Sequence, residues 1–331
     1  MISNAILPVE IAALGSYLPE RVLTNHDFEK MVETSDDWIT QRTGIKVRRI
    51  AAENEATSDL AVRAARMALE RAALDPQAVD AIIVATCTPD YHFPATACLV
   101  QSAIGAKNAA GFDLEAACCG FLFGLNHAAA AIAGGLLKNV LVIGAETLSR
   151  FTDYSDRGSC ILFGDGAGAV LLTPSRNGGE LIYCEMGSDG SGGDLAIVPA
   201  GGSRNPASEE TVRQRAHYMR LNGPEVFKWA VNKLGELVTR VPEQTGIPLD
   251  DIKLIVPHQS NVRIIQSFCQ RAGIPEGKAY INIDRVGNTS AASIPLALDE
   301  AVQEGRLQRG DLVLLLAFGG GLTWGTALLR Y

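Results

Sequence analysis

A chain of 331 residues with 47% hydrophobic and 20% charged residues is long enough for two closely packed halves and too apolar for a long disordered span. Its 29 Lys and Arg stand against 37 Asp and Glu, a net charge of −8, which argues against nucleic acid as a general partner because phosphate recognition needs clustered positive charge. No run reaches the roughly 18 apolar residues of a membrane helix, and no basic stretch precedes the apolar residues of the opening MISNAILPVEIAALG, so a soluble, cytoplasmic protein with no membrane association is expected.

In chain order, SDLAVRAARMALERAAL predicts a helix capped by Ser58 and carrying Ala61, Ala65, Ala68 and Ala72 at helical spacing. DAIIVATC follows as a short buried strand. GFDL reads as a strand leading through Cys118 into an Ala-rich helix, with Gly135 before the next strand, LLKNVLVIGAE. FGDGAGAVLL lacks the Lys-Ser/Thr of a phosphate loop and the G-x-G-x-x-G of a dinucleotide site, and predicts a tight turn before a strand. The alternation implies α/β layers.

The second half repeats this plan. LDDIKLIVPH (249–258) resembles LDPQAVDAIIVA (74–85), YINID predicts a strand leading through Asn288 into TSAASIPLALDEAVQEG, and Gly305 precedes RLQRGDLVLLLAFGGG. The intervals Cys118–Gly135 and Asn288–Gly305 are both 17 residues, which places Cys118 and Asn288 at equivalent helix entrances of a duplicated unit. The halves run over 1–175 and 176–331 with no Pro/Gly/Ser linker between them, so a site between them would draw residues from both.

The seven cysteines, Cys87, Cys98, Cys118, Cys119, Cys160, Cys184 and Cys269, form no C-x-x-C pair and are odd in number, which indicates reduced thiols rather than a disulfide framework or a zinc ribbon. A buried cysteine is most often a small apolar filler, so position decides. Cys118 falls where backbone N–H groups and the helix dipole favour a thiolate; Cys119, about 100° further round the helix, is expected to pack. His258 stands just past the C-terminal end of an apolar strand, where open α/β sheets place functional groups, whereas His26, His92, His127 and His217 lie in polar or helical contexts. Asn288 is either a turn or cap residue or a partner of those two. FGGGLTWG can offer backbone N–H groups to an oxyanion.

The motifs AACCGF, VPHQSNVRII, RVGNTSAAS and AFGGGLTWG resemble, in order and spacing, those of β-ketoacyl-acyl carrier protein synthase III, the initiating condensing enzymes of bacterial type II fatty acid synthesis. TSDDWITQRTGIKVRRI, DRGSCILFGDGAGAVLL and MRLNGPEVFKWAV extend the likeness from end to end. The resemblance implies a thiolase-like α/β fold, five layers αβαβα built from two duplicated βαβαβαββ halves, as a homodimer. It also implies a decarboxylative Claisen condensation of a short acyl-CoA, acetyl-CoA by preference, with malonyl-acyl carrier protein and without metal or organic cofactor.

Carried over residue by residue, Cys118 is the nucleophile and His258 and Asn288 are neutral donors to the enolate. The oxyanion hole is the N–H of Cys118 and of Gly320. Coenzyme A falls to Trp38, Arg42, Thr43, Arg157, Gly158, Gly223, Phe227, Ser260 and Asn261. Phe163 lines the acyl pocket, Phe93 closes the partner's, and Lys228 and Arg263 dock the acidic carrier protein. Cys119 departs from the family, which often has Ala or Ser there.

Three other readings stay open. A condensing enzyme or acyltransferase of specialised metabolism shares the fold, whereas a biosynthetic thiolase would need a second catalytic Cys where Phe318 stands. A cysteine hydrolase would also use Cys, His and Asn. A metal-binding protein would use Cys87, Cys98, Cys118 and Cys119.

Overall fold

The apolar runs AIIVA, VLVIGAE and LVLLLAFG become the strands Ala81–Ala85, Val140–Glu146 and Leu312–Gly319, buried on both faces over almost their whole length. Successive side chains of a strand point to opposite faces, and here each face meets a different helix layer. Ala81 and Ile83 join the core between the two sheets, while Ile82 and Val84 pack with Leu60, Ala64 and Ala68 of the helix Thr57–Ala72. Val313, Leu315 and Ala317 face the same central core, and Leu314, Leu316 and Phe318 face the opposite side.

The structure, a computed structural model, describes residues 2–3, 6–275 and 277–331. It contains two five-stranded sheets. The first runs, edge to edge, Val9–Tyr17, Gly166–Pro174, Val140–Glu146, Ala81–Ala85 and Ala110–Leu114; the second runs Ile2–Ser3, Glu180–Ser188, Thr323–Arg330, Leu312–Gly319 and Leu254–Pro257. Helices Gly120–Ala133 and Ser293–Gln303 lie between the sheets, contributing Phe121, Leu122, Leu125, Ile294, Leu298 and Ala301 to the shared core. Thr57–Ala72 and Thr96–Ile104 cover the outer face of the first sheet, Gly223–Thr245 and Val262–Arg271 that of the second. The result is the five-layer αβαβα arrangement. The glycine-dependent close approach of the halves is visible at Gly144, where a Cβ would overlap the Ala291 carbonyl, and at Gly168, where it would lie 2.7 Å from Pro295 Cβ.

Apart from the ribbon Arg21–Thr24 with Val47–Ile50 and the helices Asn25–Phe28 and Asp36–Thr43 inserted after Val9–Tyr17, the first half from Val9 on is βαβαβαββ in element order, and residues 175 and 176 fall between the strands Gly166–Pro174 and Glu180–Ser188. The second half departs from that order. YINID is not a strand: a single parallel bridge, Ile255 to Ala279, remains, and Ile283–Val286 turns into a short helix. The equal 17-residue intervals also conceal an offset. Each inner helix is entered through a 3₁₀ turn, Ala117–Cys119 or Ser290–Ala292, whose first residue has positive φ, 46° at Ala117 and 48° at Ser290. The structural counterpart of Cys118 is therefore Ala291, with Asn288 in the approach to the turn; the helix that follows is correspondingly shorter, 11 residues against 14. Ser58 is not a cap either. Ala56 occupies the N-cap with its N–H bound by Asp59 Oδ2 at 2.8 Å, and Ser58 Oγ donates to Asp90 Oδ2 at 2.7 Å.

Candidate active site

Four chain segments meet at a cavity of about 470 Å³ lined by Cys118, His258, Asn288, Phe163 and the glycine loop 319–321, among others. His258 follows the strand Leu254–Pro257, its N–H donating to Leu316 O at 2.7 Å and its ring set edge-on to Phe318 at 5.5 Å between centroids. The residue is 1% exposed, and neither ring nitrogen has a hydrogen-bond partner among the described residues. A buried polar group without a partner is costly unless a ligand completes it. Asn288 pairs with the Phe163 strand segment, its N–H to Leu162 O and its C=O from Gly164 N–H, both 2.9 Å. Asn288 Oδ1 accepts from Ser290 N–H at 2.9 Å, which leaves the NH₂ end for the cavity the residue lines.

The turn bearing Cys118 is fastened to the glycine loop by Thr323, whose hydroxyl lies 3.1 Å from both Ala116 O and Gly320 O. A Cβ on Gly319 would lie 2.8 Å from Cys118 N, so only glycine lets the loop come this close. Gly319 thereby lies against the Cys118 N–H, and a Cβ on Gly320 would lie 3.7 Å from Ala117 Cβ. Cys119 lies in the core between the sheets, fully buried beside Phe121 and Leu122.

Burial sets the electrostatics. It pushes the Cys118 thiol up to about 12, against the lowering expected at a helix start, although the Ser290 hydroxyl opposes the shift. Cys118 precedes the long helix by a 3₁₀ turn instead of occupying its first turn, and desolvation outweighs the dipole. Burial likewise depresses His258 to about 3, so its imidazole is neutral at physiological pH.

Gly223, Phe227, Ser260 and Asn261 line the same cavity, and Ser260 Oγ is buried without a partner among the described residues. Asn261 caps the helix Val262–Arg271 through Arg263 N–H and donates to Arg42 O at 3.1 Å, which ties the cavity to the helix Asp36–Thr43. On that helix the Trp38 ring carries the Arg157 guanidinium at 4.5 Å and that of Arg42 at 5.4 Å. Gly158, exposed beside Arg157, donates its N–H to Asp156 Oδ1 at 3.0 Å. Thr43 is buried at the end of that helix, its hydroxyl donating to Ile39 O at 2.7 Å and accepting from Ile45 N–H at 3.0 Å. Lys228 and Arg263 are exposed on adjacent packed helices, with the Arg263 guanidinium 5.6 Å from the Phe227 ring. Phe93 lies outside this cavity and is 87% exposed.

Sequence reasoning missed Cys87 and Ser290, which line the cavity, and the two-stranded ribbon Ala196–Ile197 with Arg220–Leu221, which walls it. Ser290 was within the Asn288 motif, and Cys87 closes the strand run DAIIVATC. The ribbon gave no signal, since two-residue strands have no readable period. The four cysteines of the metal-binding reading do not converge: among the described residues no group of three or more His, Cys, Asp or Glu is arranged to hold an ion.

Family models described as 3-oxoacyl-[acyl-carrier-protein] synthase III match residues 112–190, and its C-terminal part residues 243–331. The chain is 52% identical over 326 residues to a β-ketoacyl-[acyl-carrier-protein] synthase III of Desulfitobacterium hafniense, covering 98% of both chains. It superposes with a TM-score of 0.90 on the crystal structure of 3-oxoacyl-[acyl-carrier-protein] synthase III from Aquifex aeolicus, at 48% identity over 98% of this chain and all of that one. A priming β-ketosynthase from the R1128 polyketide biosynthetic pathway gives a TM-score of 0.89 at 35% identity, covering 97% of this chain and 96% of that one. With matches of this extent, the chain belongs to the β-ketoacyl-acyl carrier protein synthase III family of condensing acyltransferases.

Proposed function

We propose that the protein transfers a short acyl group from acyl-CoA to Cys118 and condenses it with malonyl-acyl carrier protein, the first carbon–carbon bond of fatty acid biosynthesis. The observation that carries the reading is the convergence of Cys118, His258 and Asn288, from three separate segments, on one cavity whose histidine has both ring nitrogens unpartnered among the described residues. Cys118 sulfur attacks the thioester carbon, and the N–H groups of Cys118 and Gly320 receive the oxyanion. CoA leaves. Malonyl-acyl carrier protein then loses CO₂, and neutral His258 with the Asn288 NH₂ group donates to the enolate oxygen. The enolate carbon attacks the acyl-enzyme and expels the Cys118 thiolate. Thioester chemistry and decarboxylation supply the carbanion from groups of this chain and its substrates.

Trp38 with Arg42 and Arg157 suits an adenine ring and phosphates, with Gly158 beside them and Gly223, Phe227, Ser260 and Asn261 along the tunnel to Cys118. Lys228 and Arg263 provide positive charge beside the mouth for an acidic carrier protein. Phe163 bounds the acyl pocket, and in a homodimer the exposed Phe93 would close that of the partner subunit. The likeness to a polyketide priming synthase keeps a role in specialised metabolism as the second reading.

The two half-reactions separate the roles. His258→Ala is expected to retain Cys118 acylation by acetyl-CoA within about tenfold while malonyl-acyl carrier protein decarboxylation falls by about 100-fold or more. Loss of acylation with decarboxylation intact would reverse the assignment.

A further inference from the structure

Gln259 follows His258 in the motif VPHQSNVRII and, unlike its neighbours His258, Ser260 and Asn261, does not line the cavity. It is completely buried. A buried primary amide is costly unless its two N–H bonds and its oxygen lone pairs are met. Asn126 and Asn282, also buried, keep amide atoms without a partner among the described residues, whereas the Gln259 amide is fully used. Its Nε2 donates to Pro257 O and to Tyr280 O, both at 2.9 Å, and its Oε1 accepts from Asn282 N–H at 3.1 Å and from Ile283 N–H at 3.3 Å.

The reason for this arrangement lies in Pro257. The strand Leu254–Pro257 is the edge of its sheet, and Ile255 begins a parallel ladder with the chain that comes alongside. Ile255 N–H donates to Lys278 O at 2.9 Å, and Tyr280 N–H donates to Ile255 O at 2.8 Å. Continued in that register, the next bonds would run from the N–H of residue 257 to Tyr280 O and from Asn282 N–H to Pro257 O. Proline has no N–H to give. The Gln259 amide enters the gap and meets all three remaining groups, Tyr280 O, Asn282 N–H and Pro257 O. YINID is therefore held to the sheet by a side chain instead of being paired as a strand, and the chain turns through Ile283–Val286 toward Asn288.

The bonds of Gln259 reach both flanks of Asn288. Tyr280, Asn282 and Ile283 precede it. After it comes Ser293, the first residue of the inner helix Ser293–Gln303, whose Oγ accepts from the Gln259 backbone N–H at 2.7 Å. His258 is one peptide unit away on the other side. Its ring has no hydrogen bond among the described residues, so it takes its place from its backbone, bound to Leu316 O, and from the packing of Phe318.

We propose that Gln259 is a positioning residue for decarboxylation, whose amide, inserted between Pro257 and residues 280–283, sets the spacing of His258 from Asn288 so that both reach one enolate oxygen. This rests on His258 and Asn288 being the donors to that oxygen, as proposed above. None of the side-chain bonds of Gln259 ends on the turn Ala117–Cys119 or on the glycine loop 319–321. Acylation of Cys118 is accordingly spared when the amide is lost, and the two half-reactions separate.

The test uses the full chain with three substitutions. Gln259→Met keeps the length of the side chain and removes its hydrogen bonds, Ser293→Ala removes the acceptor of the Gln259 N–H, and His258→Ala serves as reference. Single-turnover release of CoA from acetyl-CoA reports acylation, CO₂ release from malonyl-acyl carrier protein reports decarboxylation, and circular dichroism gives the folded fraction. Gln259→Met is expected to lower kcat and CO₂ release together by about 10- to 100-fold, with CoA release and KM for malonyl-acyl carrier protein each within about threefold of the unmodified protein. Ser293→Ala should show the same pattern with a smaller fall, about three- to tenfold. Should Gln259→Met fail to fold, Ser293→Ala carries the test alone. Unchanged CO₂ release in the folded variant, or an equal fall of both half-reactions, overturns the positioning role and leaves Gln259 a structural brace. If His258→Ala itself releases CO₂ at the unmodified rate, it is the reading of His258 that fails, and the proposal falls with it.

Discussion

At the scale of single residues, the two cysteines of AACCGF part company because a 3₁₀ turn, not an α-helix, carries them. Cys118 borders the cavity and Cys119 enters the core. That Cys118, His258 and Asn288 would meet at one site was legible in the sequence, while the protonation states were not. A helix-start argument predicts a lowered thiol pKa; desolvation, which depends on the whole surrounding fold, raises it. His258 offers a direct check. Its folded pKa of about 3 lies below the roughly 6.5 of an unfolded histidine. Between those values the unfolded chain binds the extra proton, so this residue makes stability rise with pH across that window and contributes fully above it. Replacing His258 by Gln should flatten the dependence of Tm on pH between about 4 and 6; an identical slope in both proteins would mean that the imidazole is solvated.

Among the secondary-structure elements, periodicity located the buried strands and the helix Thr57–Ala72, and the duplicated plan followed from their order. It misplaced what tertiary contacts decide. YINID has strand-like alternation, but the one bridge to a strand, Ile255 to Ala279, lies just before it, and the stretch turns toward Asn288 through the short helix Ile283–Val286. Equal spacing likewise could not reveal that Cys118 corresponds to Ala291, because a three-residue longer approach is offset by a shorter helix. The turn Ser290–Ala292 bears directly on Val140–Glu146 at Gly144, where any side chain meets the Ala291 carbonyl. Gly144→Ala should therefore cost about 2 kcal/mol or more in denaturant unfolding and reduce acylation by displacing the turn Ser290–Ala292 from the turn Ala117–Cys119 that it packs on. Undiminished stability would show that the two halves are not held at this distance.

For the whole molecule, a net charge of −8 disfavours approach of an acidic carrier protein, so binding has to be local. Lys228 and Arg263, exposed on neighbouring helices, are the local charges proposed for it. Reversing both, Lys228→Glu with Arg263→Glu, should raise KM for malonyl-acyl carrier protein by about tenfold or more at low salt, with kcat and acetyl-CoA acylation little changed and the difference shrinking as salt rises. A change confined to kcat would point to a role inside the cavity. No described helix is long and apolar enough to cross a membrane. The five layers make the cavity a property of the complete chain: Cys118 comes from the first half, and His258, Asn288 and Gly320 come from the second.

The central claim is an acyl-Cys118 intermediate that waits for its malonyl partner. The most direct measurement is incubation with acetyl-CoA followed by intact mass and peptide mapping, in the unmodified protein and in Cys118→Ser and Cys119→Ser, before and after addition of malonyl-acyl carrier protein. One acetyl group should appear on Cys118, persist in water, survive in Cys119→Ser, vanish in Cys118→Ser and be discharged by malonyl-acyl carrier protein with release of CO₂. Label on Cys119, or an adduct on Cys118 that water removes as fast as it forms, would contradict the account.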